Sequence, residues 1–217
     1  MPQQSVARTE RHALADLMAR LGPDAPTLCA GWTTRDLAAH LVLRDRRPDA
    51  APGIFVRPLS AYTERVRRGL AAQPYPRLVE QVRQPPWWSW SALPLLDAAA
   101  NVAEFFIHHE DVRRAQPQWR PRELSMEVEQ ALWAPARMMG RLSLRRFPAL
   151  IHLHAPGYGE VTAGSPAGRE ADAPRIRVSG PPGELLLFCS GRQRAAEVEV
   201  TGPPANVEAL RTARLGI

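Results

Sequence analysis

From Ser5 to about Phe147 the apolar positions recur with a helical period; beyond Phe147 they alternate. Leu14, Leu17, Met18 and Leu21 fall three and four apart, which predicts a helix over Ser5–Leu21 that Gly22-Pro23 stops. Thr33-Thr34 are good N-cap residues, and Asp36 supplies a first-turn negative charge. A second helix then runs through Leu37, His40, Leu41 and Leu43 to about Arg46, and Pro48, Pro52 and Gly53 break the chain. Leu59–Leu70 and Pro76–Val82 read as shorter helices. The apolar, Ala-rich stretch Leu95–Ala115 reads as a longer one, with Pro94 at its first turn and Pro117 beyond its end. Ser125 caps a further helix through Val128, Leu132 and Met138 to about Leu144.

Leu150–His154 and Gly159–Ala163 then predict two strands around a Pro-Gly turn, followed by a polar loop over Ser165–Pro174. Arg175–Ser179 alternates as a strand. Pro182–Cys189 fits either element, and the Pro181-Pro182-Gly183-Glu184 start favours a helix. Glu197–Thr201 alternates as a strand, and Ala205–Ala213 is a last helix. The expectation is a mainly α chain: a helical domain over 1–146 and a small α+β domain over 147–217.

The 217 residues are 45% hydrophobic, enough for a real core. The net charge of +6 changes the picture little. Every basic residue is Arg, with Ala and Pro also abundant, which fits the codon bias of a GC-rich genome. Acids are interspersed and no five-residue basic run occurs, so no nucleic-acid partner is expected. No apolar run reaches membrane-span length, and Met1–Glu10 has no signal-peptide core, so the expected location is the cytoplasm without membrane attachment. Cys29 and Cys189 lie far apart and read as reduced, packed thiols.

Glu104 and His108 carry the candidate chemistry. At an i, i+4 spacing they share one helix face and can chelate one divalent cation. His40, on a separate helix, supplies a third ligand, as in metal sites inside helix bundles. His109 points about 100° away and is expected outside the site. Asp111 lies near the ligand face; it or His12 would be the fourth ligand of a closed, structural site. Asp36, one turn before His40, is a candidate to orient its ring. Arg44, one turn after His40, is a candidate catalytic residue that meets an anionic substrate. The competing reading is two packed histidines and a Glu104 paired with neighbouring Arg or His. The loop carrying Trp87, Trp88 and Trp90 reads as a lid packed on the helices, with a pocket mouth as the alternative. No zincin, deaminase, phosphate-loop, dinucleotide or nucleophile-elbow motif is present.

The segment Leu28-Cys29-Ala30-Gly31-Trp32-Thr33-Thr34-Arg35-Asp36-Leu37-Ala38-Ala39-His40-Leu41 resembles the Gly-Trp-(Ser/Thr)-x-x-Asp-Leu-x-x-His-Leu segment of the mycothiol-dependent maleylpyruvate isomerase superfamily, relatives of DinB-like proteins. Glu104-x3-His108-x2-Asp111 is similar to that superfamily's second metal segment, and the wording Glu104–Arg114 looks more like an actinobacterial branch known only as metal-binding. The resemblance covers nearly the whole chain. It implies a DinB-like four-helix bundle followed by a small α+β domain similar to sterol carrier proteins. It also implies His40, Glu104 and His108 as ligands, zinc as the metal, mycothiol as co-substrate and a small electrophile as substrate. The implied chemistry is thiolate attack leading to isomerisation or S-transfer. Arg44, from its position, is the candidate to clamp a substrate carboxylate, and a monomer or homodimer is expected. Arg177, Arg192 and Arg194 are further candidates for substrate contact. Three other uses of the same ligands stay open: a non-haem iron oxygenase, a metal-dependent hydrolase, and a metal-binding or regulatory module without catalysis.

Overall fold

The computed structural model describes residues 2–89, 98–166 and 173–216. Among them the chain is mainly helical with one small mixed sheet. Six helices precede the strands: α1 (Pro2–Leu21), α2 (Thr34–Arg46), α3 (Ser60–Ala71), α4 (Tyr75–Arg83), α5 (Ala98–Arg113) and α6 (Met126–Leu144). The strands β1 (Leu150–Ala155), β2 (Gly159–Ala163), β3 (Arg175–Ser179) and β4 (Glu199–Thr201) are joined by α7 (Pro182–Cys189) and followed by α8 (Pro204–Thr212). Each lies within a few residues of where periodicity and caps put it. The expected start of α5 at Pro94 and the third tryptophan of the loop, Trp90, lie outside the described residues. After α2 the chain does not simply break: Ala51–Ile54 and Arg57–Leu59 form 3-10 turns, each with a proline at its start.

Packing divides the chain into two compact units, Gln3–Arg120 and Pro121–Ile217. In the first, Leu14 and Met18 of α1, Leu37 and Leu41 of α2, Leu78 and Val82 of α4, and Phe105 and Val112 of α5 form one apolar cluster. Charged side chains thread that core. Arg11 donates to Asp45 at 2.6 Å and to the Val82 carbonyl at 2.9 Å, and its guanidinium lies 4.0 Å over the Phe105 ring.

In the second unit the sheet order is β2-β1-β3-β4. β1 runs antiparallel to β2 and parallel to β3, and β3 antiparallel to β4. The β1–β2 turn contains Gly157 at φ +80°, a conformation that suits glycine. The wholly buried α7 packs against α6, and both touch β1. Gly140 permits the approach: a Cβ there would strike Leu153 of β1 and sit 3.5 Å from Cys189 Sγ. Phe147 thus marks where the strands begin, whereas the second packing unit starts earlier because α6 lies on α7.

The start of α2 is braced from α3. Arg67 Nη1 donates to Asp36 at 2.6 Å, and its Nε and Nη2 each donate to Glu64 at 2.8 Å. Hydrogen bonds from Arg67 pull the Glu64 carboxyl from 4.5 to about 2. Its folded value lies below its unfolded one, so its contribution is present above pH 4.5 and is lost as pH falls toward 2. Glu64→Gln should therefore lower the denaturant midpoint at neutral pH, by under about 1 kcal/mol for a partly exposed pair. The gap from wild type should close between pH 4.5 and about 2. A gap that persists at the acid end would show that the ion pair is not its cause.

Candidate metal centre

The site lies within the first unit, where α2, α5 and the loop between α1 and α2 meet. That loop is tied to both neighbours. Thr27 Oγ1 donates to the Trp32 carbonyl at 2.8 Å, and Leu28 N donates to the Asp111 carbonyl of α5 at 3.0 Å. Asp36 Oδ2 then accepts from the Thr33 N–H at 3.1 Å and the Thr33 hydroxyl at 3.0 Å. The helix start is therefore set one turn before His40. Asp36 was expected to orient the His40 ring. It does not; its oxygens are committed to Thr33 and Arg67.

The ring of His40 is held by aromatic contacts. Trp32 lies with its centroid 5.3 Å away, and His108 meets it edge to face at 5.4 Å. His40, Glu104 and His108 are brought together, with one potential ligand atom from each within 4.8 Å of the others. Both histidines aim Nε2 at the same Glu104 oxygen, His40 at 3.2 Å and His108 at 3.4 Å. Two imidazole nitrogens converging on one carboxylate oxygen is a donor set that fits a divalent cation. The three also line a cleft of about 430 Å³, together with Cys29, Trp32, Arg44, Ile54 and Phe55.

Asp111 lies behind His108 and not beside Glu104. Its Oδ2 is 2.9 Å from His108 Nδ1 and accepts from the Cys29 thiol at 3.2 Å. With Nδ1–H donating to Asp111, the Nε2 of His108 faces His40 and Glu104, the arrangement a ligating histidine needs. Sequence analysis read Cys29 as a packed thiol; it lines the cleft and belongs to this chain of bonds. No spacing rule points to it, because a loop carries it there. His109 stands outside the cluster as expected, its Nδ1 2.7 Å from Glu10 Oε2. Cys29, His108 and Asp111 form a second group that could hold a cation, and His12 joins neither group among the described residues.

Arg44 reaches the cleft, where Nη2 donates to Asn101 Oδ1 at 2.8 Å. Its guanidinium also lies 3.6 Å from Asp45 and 3.7 Å from Glu104. Asn101, one turn before Glu104, was not singled out from sequence. Trp87 and Trp88 do not pack as a lid; they are 85% and 45% exposed. In the second unit Arg177 is exposed on β3, and Arg192 donates to the Ser190 carbonyl at 2.6 Å.

Electrostatics couples the cluster. Burial pushes the Glu104 carboxyl up, but hydrogen bonds and charge from His108, with His40 and Arg44 adding, hold it well below the usual carboxylate range. Burial pulls His108 down, and the bonds to Asp111, Cys29 and Glu104 overcome it, raising His108 well above an ordinary histidine. At His40 burial dominates over its bond to Glu104, and its pKa is lowered.

Two solved structures share this fold. They are the mycothiol-dependent maleylpyruvate isomerase and a variant of it with one histidine replaced by alanine. The TM-scores are 0.50 and 0.51, at 14% identity, over 92% of this chain and 91% of theirs. At that identity the likeness is one of fold. No protein-family model and no curated protein matches the chain.

With zinc as the probe cation, a competitive chelator titration should find Asp111→Asn about 10- to 100-fold weaker than wild type if His108 is a ligand, because the imidazole loses its anionic acceptor. Unchanged affinity would mean that Asp111 does not orient His108.

Proposed function

We propose that this chain is a divalent-metal enzyme that uses a low-molecular-weight thiol, mycothiol or a close analogue, to isomerise small electrophiles or to join the thiol to them by S-transfer. The observation that carries the reading is the three-residue donor cluster at the floor of an open cleft. The shared fold with a mycothiol-dependent isomerase supports the choice of a thiol as co-substrate. His40, Glu104 and His108 would hold the metal, and two nitrogens with one oxygen favour zinc. When bound, such a cation supplies the Lewis acidity that lets a thiol ionise near neutral pH.

The chain's own residues prepare that event. Asp111 fixes the His108 tautomer, and Trp32 fixes the plane of His40. Asn101 holds Arg44, and Arg44 lies 3.7 Å from the same Glu104 oxygen, so the carboxylate keeps its place when a substrate enters. Trp32, Ile54 and Phe55 give the cleft apolar walls that thin the water around the reacting sulfur. The thiol gives its proton to solvent, and the thiolate attacks carbon. In isomerisation a C–S bond forms as the double bond opens. Rotation and elimination then return the thiolate and the double bond. In transfer the C–S bond forms as the leaving group departs with its electron pair.

Metal analysis of purified protein, with electrophile consumption in the presence and absence of mycothiol, tests the proposal. Wild type should hold about one zinc and show thiol-dependent turnover. His108→Ala should lose both. Full metal in that variant would overturn the ligand assignment. Metal without thiol-dependent turnover in wild type would leave a binding module and remove the enzyme reading.

A further inference from the structure

We propose that the second substrate of this cleft is an uncharged, apolar electrophile and not a carboxylate. This rests on the thiol-enzyme reading and narrows it. Arg44 is the one arginine among the described residues that line the cleft, and His108 is committed to Glu104 and Asp111. The protein's own acids surround it: Asp45 at 3.6 Å and Glu104 at 3.7 Å, with Asn101 accepting one of its N–H groups at 2.8 Å. A substrate carboxylate would have to compete with two carboxylates that are already in place and largely buried.

The charge balance points the same way. With His108 neutral, as a metal-bound imidazole is, Arg11 and Arg44 stand against Asp45, Glu104 and Asp111, one negative charge in excess. A divalent cation with one thiolate adds one positive charge. The loaded site is then neutral, with nothing over to hold an anion.

The walls supply what the charges do not. Trp32 lies tilted beside His40, while the guanidinium of Arg67 stands 4.9 Å from the Trp32 ring. Across from it the 3-10 turn Ala51–Ile54 carries Ile54 and then Phe55, which is 71% exposed at the rim. Gly53 lets that turn sit tightly, since a Cβ there would lie 2.6 Å from the Leu59 carbonyl. An exposed phenylalanine on a braced turn beside a polar floor suits a ligand whose reactive carbon goes down and whose apolar body stays at the mouth.

The test compares two ligands of one shape, 2,4-dinitrotoluene and 2,4-dinitrobenzoate, by equilibrium binding. It uses the whole protein in two states: metal-free, and zinc-loaded with saturating mycothiol. The neutral ligand should bind at least tenfold more tightly in both states. Phe55→Ser should weaken its binding at least threefold and leave the carboxylate's unchanged. Equal or tighter binding of the carboxylate in either state, or no effect of Phe55→Ser, would overturn the proposal. Turnover of 1-chloro-2,4-dinitrobenzene with mycothiol is measured separately. Its absence alongside an intact binding preference would overturn the S-transfer reading of the enzyme and leave the ligand class standing.

Discussion

The structure depends on satisfying the charges of one helix. Over Val102–Val112, α5 is buried almost all round, yet it carries Glu104, His108, His109, Glu110 and Asp111 in sequence. An unpaired charge in such surroundings costs several kcal/mol, so each must meet a partner. Glu10 of α1 meets His109 at 2.7 Å. Arg114 at the end of α5 meets Glu110 at 2.6 Å, and Arg113 shares that carboxylate at 2.9 Å. Cys29 and His108 satisfy Asp111, and His40 and Arg44 of α2 face Glu104. The positions of α1, α2 and the loop between them follow from this pairing as much as from the apolar cluster.

The same pairing explains why the candidate site is coherent before any cation enters. Glu104 and His108 attract each other, which lowers the acid and raises the base. A cation taking His108 Nε2 displaces a proton, so occupation and proton release are linked. Glu104 sits on the boundary between two tasks, neutralising Arg44 and facing the histidines. That dual use keeps the carboxylate ionised without leaving it fully exposed to solvent.

Much of this was legible in the residues. Helical periodicity placed α1 to α6: most bury one face, α5 buries nearly its whole surface, and α3 keeps only Arg67 buried. The Pro-Pro-Gly-Glu start was enough to read Pro182–Cys189 as α7. The one-turn spacing of Glu104 and His108, with His40 on another helix, anticipated the cluster that forms. What spacing cannot supply is competition for a partner. Asp36 stands one turn from His40, as an orienting residue would, but Arg67 from a distant helix and the α2 cap take both its oxygens. Arg44 is likewise claimed by Asn101, Asp45 and Glu104. Cys29 joins through a loop whose path is set by a backbone bond to Asp111, and loops carry no period to read. The exposed Trp87 runs against composition alone, which favours burying so large a ring.

The cap of α2 has a consequence for how this chain tolerates change in length. Thr33, Asp36 and Arg67 fix the angular phase of the helix at its first turn, and His40 and Arg44 inherit that phase one and two turns on. One residue inserted between Asp36 and His40 would swing the imidazole by about 100° and carry it away from Glu104. The stretch from Arg47 to Leu59 lies after the phase has been used, so added residues there would redraw the rim of the cleft and leave its floor in place. Divergence among relatives with this architecture is thus channelled: indels in one span alter what the cleft admits, and indels in the other abolish the centre altogether.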